Sequence, residues 1–375
     1  MPTKGIGPPE VDPKVRIAIS PGTEVKELPT PALLMDLDGM ERNLLRMANF
    51  FRDSGPKLRP HFKAHQVLSL ARRQLEVGAI GLTCARLDQA ETLVRSGIDN
   101  ILIANEITEA IKIQHFVDLA RRAPVIVAVD NPKVISDMAR LAGEWKHELN
   151  VLVDVDVRLG RCGVKPGEAA LSLAKLVLER GLKFRGLMGY EGQVALSPGP
   201  EKDQVVHEAL KRLIDTKAMI EREGICVEIV SCGGTSDFSI AAKYPGVTEI
   251  QAGSYLLMDC TYSPFAPEFE LTLTILATVI SKTPAERLVV DAGFRAMSGE
   301  NGLPSIKGIS GLRVKALHIE HTVIEITDPS VGIEVGDKIE MSVHFLDQTL
   351  GLHSHLYGIR RGEVEEVLKI EVVAQ

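Results

Sequence analysis

The sequence lacks paired cysteines, long apolar runs and an excess of basic charge, and each absence excludes a class of protein. Its five cysteines form no CxxC pair, which favours reduced thiols in a cytosolic protein over a disulfide framework. Lys and Arg number 43 against 50 Asp and Glu, and the net charge of −7 argues against a nucleic-acid partner. No uninterrupted apolar run reaches the ~18–20 residues of a membrane span, and the Pro- and Gly-rich first residues lack a secretory signal. We therefore expect a cytoplasmic protein without membrane or nucleic-acid partners.

The 375 residues nevertheless contain enough apolar material for a large core, because hydrophobic residues make up 45% of the chain. Short β-branched segments alternate with stretches of helical periodicity such as 67–76 and 169–179. The eight strand candidates are 58–63, 81–85, 100–104, 125–130, 150–157, 184–191, 227–233 and 249–255.

Eight strand–helix units predict parallel strands that close into a (β/α)8 barrel. An open doubly wound sheet is the alternative, but no GxGxxG motif follows an early strand. The pattern changes after residue 262, where strands with short turns replace the alternation. The strand candidates there are 271–280, 287–291, 315–325, 338–343 and 367–373.

We therefore divide the chain into a barrel over residues 25–262 and a mostly β domain over 263–375 together with 1–24. The extended segment 15–19 is expected to join the β domain. The apolar segment TPALLMDLD at 30–38 is expected at the entrance of the barrel, before a helix that starts near Gly39.

The first strand, LRPHFKAHQ, places three titratable side chains on one face, because side chains alternate along a strand. Arg59, His61 and Lys63 share that face, and Phe62 points toward the helix layer. Burial and the neighbouring cations would then disfavour the ammonium form of Lys63. A neutral amine is what a Schiff base with an aldehyde requires. The alternative is a surface lysine at a strand end.

Glycine-rich turns follow strands seven and eight, where such barrels hold phosphate groups. Glycine lets the backbone approach a ligand closely, and hydroxyl and N–H groups favour an anion. Each turn alone is typical of an ordinary loop, but the adjacent pair predicts a phosphate-bearing cofactor. The candidate residues are Gly233, Gly234, Thr235, Ser236, Gly253, Ser254 and Tyr255.

Two other strand ends carry polar side chains. Asp154 and Asp156 share one face of strand five, with Arg158 and Arg161 beyond them, and a solvated loop is the simpler interpretation. Tyr190 follows strand six, where it either contacts an aromatic cofactor or packs in the core.

The β domain contains a histidine-rich segment, MSVHFLDQTLGLHSHLYGIRRG. His and Asp in one short loop suit a divalent cation such as Mn, Mg or Zn, with waters or substrate completing the shell. Ordinary surface histidines are the alternative. The candidate ligands are His344, Asp347, His353 and His355, and LHIEHTV upstream adds His318, Glu320 and His321.

These motifs together resemble one family. TPALLMDLD, RPHFKAHQ, RCGV, GGTS, AGSY, VDAG, EH and the late histidine-rich loop occur in that order. The series is similar to the D-threonine aldolase and D-serine dehydratase-like group of pyridoxal phosphate enzymes. That group has the alanine racemase type of architecture, a barrel followed by a β domain. The resemblance runs over nearly the whole chain from residue 28.

The resemblance implies roles for individual residues. Lys63 would form the Schiff base with pyridoxal 5′-phosphate, and the GGTS and AGSY turns would hold its phosphate. Tyr190 and Arg161 would approach the cofactor, and Arg86 would face it. His344 would be the first metal ligand. The second ligand is usually Asp in the aldolases and Cys in the dehydratases, so Asp347 is the candidate here.

The spacing of the two metal candidates departs from the family, which has His-x-Asp where this chain has His-x-x-Asp. His353 or His355 is an alternative ligand. For the reaction, the resemblance implies a metal-assisted, pyridoxal phosphate-dependent retro-aldol cleavage of D-3-hydroxy amino acids. D-Threonine would give glycine and acetaldehyde, with His321 or a metal-bound water as the base.

Several other functions stay open at this point. A D-serine or 3-hydroxyaspartate dehydratase, releasing a keto acid and ammonia, is the nearest alternative, followed by a D-3-hydroxyaspartate aldolase. An amino-acid racemase, a non-catalytic cofactor carrier and a barrel without a cofactor are further alternatives. Relatives of this architecture are often dimers, so a homodimer is expected.

Overall fold

The chain forms two sheets, an eight-stranded parallel sheet and a nine-stranded mixed sheet. The computed structural model describes residues 19–144, 148–195, 199, 201–282 and 286–371. Most of the segment 15–19 therefore lies outside the described residues. Among the residues that are described, no helix combines the length and the apolar character needed to cross a bilayer.

Strands and helices alternate through the first two thirds of the chain. β1 (Ala32–Asp36) and α1 (Leu37–Arg52) come first. The elements that follow are β2 (Lys57–Leu58), α2 (Leu68–Glu76), β3 (Leu82–Cys84), α3 (Leu87–Arg95), β4 (Ile101–Glu106), α4 (Ala110–Ala120), β5 (Val125–Val129), α5 (Pro132–Glu144), β6 (Asn150–Asp154), α6 (Glu168–Glu179), β7 (Lys183–Met188), α7 (Glu201–Arg222), β8 (Ile229–Cys232), α8 (Phe238–Ala241) and β9 (Glu249–Ile250). Short 3-10 helices lie at Val25–Glu27, Phe62–Ala64, Gly192–Val194 and Ser254–Leu256.

Strands β2 to β9 form a closed parallel barrel. Their order is β2-β9-β8-β7-β6-β5-β4-β3, and a parallel bridge between His61 and Thr83 joins the two ends. Apolar side chains from neighbouring strands fill the interior, which is therefore a packed core rather than a channel. They are Leu102, Ile126, Ala128, Leu152, Met188 and Ile229. The predicted (β/α)8 barrel is confirmed.

The helices cover the barrel because each buries one apolar stripe. In α1 the buried residues Met40, Leu44, Met47 and Phe51 recur at intervals of three and four, which places them on one helix face. Asp36 caps the helix, because its side chain accepts a hydrogen bond from the N–H of Asp38.

The second sheet follows the barrel in the chain but also takes the first strand. Its other strands are β10 (Leu273–Lys282), β11 (Arg287–Val290), β12 (Ser305–Ile306), β13 (Leu312–Leu317), β14 (Thr322–Ile326), β15 (Lys338–Ser342), β16 (His355–Arg360) and β17 (Glu363–Lys369). The order is β13-β14-β11-β10-β1-β16-β17, and β15 pairs with β10 and with β12.

The position of β1 corrects the expectation that segment 30–38 lies at the barrel entrance. β1 pairs antiparallel with β10 and parallel with β16, in the middle of the second sheet. Leu33 and Met35 pack into the main core, whereas Ala32 and Leu34 pack on the other side against Leu276. A strand buried on both faces reads as continuously apolar, so the sequence pattern did not reveal which sheet it joins.

Three further boundaries differ from the expectations. The segment 315–325 is a hairpin of β13 and β14 rather than one strand. The histidine-rich segment contains the helix α9 (Leu346–Leu350) and the strand β16 rather than a loop. Strands β2 and β9 end early, at Leu58 and Ile250, and the chain then enters 3-10 turns.

Candidate active site

A cavity opens at the carboxyl ends of the barrel strands and is bordered by the β domain. The cavity and its open mouth together enclose about 710 Å³. Its lining includes Lys63, Arg161 and Tyr190, both glycine turns, and Asp347 from α9. The structure thus brings together the predicted lysine, both predicted phosphate turns and one predicted metal ligand.

Lys63 lies in the 3-10 turn that follows β2, anchored by the buried side chains of Phe62 and Ala64 on either side. Its Nζ lies 3.6 Å from Oδ2 of Asp347, in the cavity. The Lys63 side chain is 47% exposed and that of Asp347 is 25% exposed, so the pair is reachable from the mouth. Burial raises the pKa of Asp347, and the neighbouring Lys63 opposes that rise.

The expected crowding of Lys63 by Arg59 is wrong, because the strand ends before the alternation reaches Lys63. The guanidinium of Arg59 turns into the barrel wall and donates to both carboxylate oxygens of Glu249, at 2.9 and 3.0 Å. It also donates to the carbonyl of Asn100. Arg59 therefore joins strand ends and does not crowd the amine.

His61 does line the cavity, although the sequence assigned it no role of its own. Burial lowers its pKa well below the usual value, and the cations Lys63 and Arg161 lower it further. The imidazole is therefore neutral near pH 7. Its Nδ1 is buried, and none of the described residues forms a hydrogen bond with it.

The first glycine turn is held from below by two carboxylates. Gly233 has φ = 77°, a conformation that glycine adopts readily. Its N–H donates to Oε2 of Glu191 at 3.2 Å, and the N–H of Gly234 donates to Oδ1 of Asp237 at 2.7 Å. Thr235 ties this turn to the second one, because its Oγ1 accepts the N–H of Tyr255 at 3.0 Å.

Three other backbone N–H groups of the two turns are unpaired within the part of the chain that the structure describes. None of the described residues accepts a hydrogen bond from the N–H of Thr235, Ser236 or Gly253. All three line the cavity, together with Ser254. Unpaired N–H groups next to hydroxyls form a natural site for an anion.

The second turn needs glycine for packing. A Cβ on Gly253 would lie 2.8 Å from the carbonyl oxygen of His61, so a larger residue would push the two strand ends apart. The ring of Tyr255, in contrast, packs in the core against Phe269, and its hydroxyl accepts from Nε2 of Gln74. Only the backbone of Tyr255 therefore belongs to the turn at the cavity, since its side chain lies in the core.

Arg161 and Tyr190 face each other across the cavity wall. The Arg161 guanidinium carbon lies 5.8 Å from the Tyr190 ring centroid, in cation–π contact. Burial raises the pKa of Tyr190, so its phenol stays protonated and can donate a hydrogen bond.

The predicted strand five corresponds to β6 and the residues that follow it. Its interpretation as a solvated loop is wrong for Asp154, whereas the interpretation holds for Arg158, which is exposed. Asp154 is buried at the end of β6. Burial raises its pKa to about 8, and the nearby carboxylate of Glu106 adds to the rise.

The structure places two predicted site residues elsewhere. Arg86 pairs with Asp88 at 2.6 Å and lines a neighbouring cavity with Lys112 and His115, because it caps α3 at the outer rim of the barrel. His321 is exposed on the surface of the β domain, in the turn between β13 and β14.

The predicted metal pair is divided. Asp347 faces the cavity, whereas the half-buried ring of His344 lies against Gly302, where a Cβ would come within 2.9 Å of it. His353 Nε2 contacts the carbonyl of Ala296, and His355 is exposed on β16. Across the described residues, no three His, Cys, Asp or Glu side chains are grouped to hold a metal ion.

Asp259 is a residue that sequence reasoning missed. It is buried just after the barrel, and its Oδ1 accepts the N–H groups of Thr261 and Tyr262 at 3.0 and 2.8 Å. Its Oδ2 accepts the N–H of Leu346 at 3.0 Å, which is the first residue of α9. Burial raises the pKa of Asp259 to about 6. An Asp-turn signal is readable locally, but the bond to a residue 87 positions away is not.

Comparison with known proteins follows the same division of the chain. The family described as alanine racemase, N-terminal domain, matches residues 35–260, and a serine dehydratase domain matches residues 272–359. A D-threonine aldolase of Arthrobacter sp. is 34% identical over 358 residues, covering 93% of this chain and 94% of that protein. A 3-hydroxy-D-aspartate aldolase of Paracoccus denitrificans is 31% identical, covering 92% of each.

Solved structures agree with these matches. A crystal structure of D-threonine aldolase from Filomicrobium marinum superposes with a TM-score of 0.92 at 32% identity, covering 95% of this chain and 98% of that one. An alanine racemase of Clostridium difficile superposes with a TM-score of 0.71 at 13% identity, which shows a shared fold alone.

Proposed function

The chain belongs to the D-threonine aldolase and D-serine dehydratase-like family with the alanine racemase-type fold, and from this premise we propose that it is a carbon–carbon lyase. The proposed reaction is a retro-aldol cleavage of D-3-hydroxy amino acids that depends on pyridoxal 5′-phosphate, with D-threonine giving glycine and acetaldehyde. The observation that carries the proposal is the amine of Lys63 in one cavity with both glycine turns.

The residues present fit the cofactor. Lys63 would hold it through its amine, and the unpaired N–H groups and hydroxyls of Thr235, Ser236 and Ser254 would hold its phosphate. The orphaned Nδ1 of His61 is a further polar atom at the cavity wall. When bound, pyridoxal phosphate supplies an electron sink for the bond that breaks at the substrate Cα.

The chain's own groups handle the protons. Asp347 Oδ2 lies 3.6 Å from Lys63 Nζ, so the carboxylate forms an ion pair with the ammonium form of the lysine. The protonated phenol of Tyr190 donates a hydrogen bond into the cavity, and neutral His61 is available as an acceptor. Arg161 offsets negative charge on the same wall.

A divalent metal, Mn, Mg or Zn, is proposed at Asp347, with solvent or substrate as further ligands, and His344 would join them by turning its ring away from Gly302. Carboxylate and imidazole are suitable donors for these ions. Such an ion would lower the pKa of a substrate hydroxyl.

We expect EDTA to abolish turnover and Mn²⁺ to restore it. The metal content of Asp347→Asn should fall, whereas His353→Ala should bind metal normally. Unchanged turnover in EDTA with a metal-free protein would contradict the site.

His321 is proposed as a base that acts on the cavity of a second copy, because in its own chain it is exposed on the β domain. Phe294 and Ile319 nearby are also exposed and apolar, which suits a homodimer interface.

Light scattering should report a dimer. Mixing Lys63→Ala with His321→Ala chains should restore part of the activity, since one site in each mixed dimer keeps both residues. Sites built within one chain would stay inactive.

The deciding experiment is a product assay with D-threonine, D-serine and D-3-hydroxyaspartate. Glycine plus an aldehyde indicates the aldolase, and a keto acid plus ammonia indicates a dehydratase. A dehydratase and a 3-hydroxy-D-aspartate aldolase stay as second candidates, because relatives of both kinds align with this chain. The dehydratase relative is 29% identical and covers 73% of this chain. A visible absorbance band that borohydride removes tests the cofactor itself.

A further inference from the structure

Two buried carboxyl groups lie beneath the first glycine turn, outside the set of residues that line the cavity. Glu191 is 1% exposed and Asp237 is 2% exposed. Glu191 follows β7, and Asp237 precedes α8, so the two come from different strand ends. Each accepts one backbone N–H of the turn, from Gly233 and Gly234 respectively.

The two carboxyl groups also affect each other's protonation. Oε1 of Glu191 is buried, and none of the described residues forms a hydrogen bond with it. Burial and the charge of Asp237 raise the pKa of Glu191 well above its usual value, and burial raises that of Asp237 to about 6. The pair therefore retains one proton near pH 7.

A buried cation also contacts the backbone of the first glycine turn. Lys202 on α7 is buried, donates to the carbonyl of Ser236 and attracts the carboxylate of Asp237. Asp237 thus lies near the buried ammonium of Lys202 as well as near Glu191. The proton that the carboxyl pair retains reduces the negative charge that would repel an anion at the turn.

The bonds to the carboxyl groups decide which donors remain free. Because the N–H groups of Gly233 and Gly234 point down toward Glu191 and Asp237, they cannot also point into the cavity. The N–H groups of Thr235 and Ser236, which have no acceptor among the described residues, are left for a ligand.

We propose that Glu191 and Asp237 are positioning residues for the phosphate of the cofactor, holding the turn so that Thr235 and Ser236 present their donors to it. The proposal rests on the proposed function, since it assumes that the cavity binds pyridoxal phosphate. Neither residue touches the ligand, so each acts only through the backbone of the turn. Affinity for the phosphate group, rather than for the pyridine ring, should depend on the pair.

The test compares two ligands on the full-length apoprotein, pyridoxal 5′-phosphate and pyridoxal, which lacks the phosphate. Their affinities are measured by absorbance titration, and the covalent adduct by borohydride reduction. Glu191→Leu should lower the ratio of the two affinities about tenfold or more, because it frees the N–H of Gly233 and unpairs Asp237. Pyridoxal affinity should stay the same. Glu191→Gln should keep the normal ratio, since the amide oxygen still accepts from Gly233 and the neutral amide replaces a protonated carboxyl beside Asp237.

Asp237→Ala and Asp237→Asn form a second pair with the same expectation, in case Glu191→Leu does not fold. Asp154→Asn is the matched control, as a buried carboxyl at the end of β6 that bonds neither glycine. A normal ratio in both Glu191→Leu and Asp237→Ala, an equal loss of both ligands, or a Gln variant as weak as the Leu variant would overturn the proposal. If the unaltered protein forms no adduct with either ligand, the proposed function fails instead.

Discussion

The two walls of the cavity are built in different ways. The barrel wall consists of Lys63, Arg161, Tyr190 and the turns at 233–236 and 253–254, all from neighbouring strand ends of one closed ring. The domain wall consists of Asp347 on α9 and is fastened to the barrel through Asp259.

The two walls also differ in the groups that they contribute. The barrel wall carries the lysine and both glycine turns, and its fold is shared with alanine racemases at 13% identity. The domain wall supplies the carboxylate nearest to that lysine, 3.6 Å away. We therefore expect changes in the barrel wall to alter cofactor binding and changes in the domain wall to alter turnover.

The largest effect should come from removing the lysine that both walls face. Lys63→Ala should abolish the borohydride-sensitive absorbance band and lower kcat/KM by about 10³-fold or more, because no other amine takes its place. Lys211→Ala, on the exposed side of α7, is the control and should behave like the unaltered protein. A normal absorbance band in Lys63→Ala would place the cofactor elsewhere.

Asp347→Asn tests the domain wall alone. The amide cannot form the ion pair with Lys63 or carry charge for a metal, so kcat should fall by about 10²-fold. Cofactor affinity should stay within a few-fold, since the barrel wall is untouched. Cofactor titration and steady-state kinetics on one preparation separate the two. A protein that turned over normally, or lost the cofactor, would break the division between the walls.

Asp259→Ala tests the fastening between the walls. The change leaves three backbone N–H groups without their acceptor, which should cost about 1–3 kcal/mol of stability. We expect a fall in kcat of about tenfold with normal cofactor affinity, because α9 loses its fixed start. Calorimetry and kinetics provide the readouts. Unaltered kcat in a destabilised protein would show that α9 is held by its packing alone.

The smallest expected effect is on the pH dependence of stability, through Asp154 at the end of barrel strand β6. The folded pKa of Asp154, about 8, lies above the ordinary value of 3.8, so the folded state binds the proton more tightly than the unfolded state. Its contribution to stability is therefore complete below pH 3.8 and is lost as the pH rises toward 8. Asp154→Asn should flatten the fall in melting temperature between pH 6 and 8. A parallel fall in both proteins would exclude this residue as its source.

Local patterns predicted the barrel wall well. Eight strand–helix units and two adjacent glycine turns are features of short windows, and the lysine follows the first barrel strand directly. The structure then placed these parts in one cavity because carboxyl ends of parallel strands meet at the same rim.

Long-range pairing explains what was missed. Glu191 and Asp237 come together only after β7 and β8 pair, and Asp259 meets Leu346 only after both domains form. The alternation that grouped Arg59 with Lys63 failed because β2 ends at Leu58, which a pattern of period two cannot signal.

The central place of β1 in the second sheet has a consequence for synthesis of the protein. Ala32 pairs with Leu276 and Leu34 with Tyr357, so the ribosome makes this strand long before either neighbour exists. The nascent chain must carry an apolar, unpaired strand while the whole barrel emerges, and such edges attract chaperones or other chains. Completion of this sheet thus waits for β16, and premature termination before β16 would leave an open edge on β1.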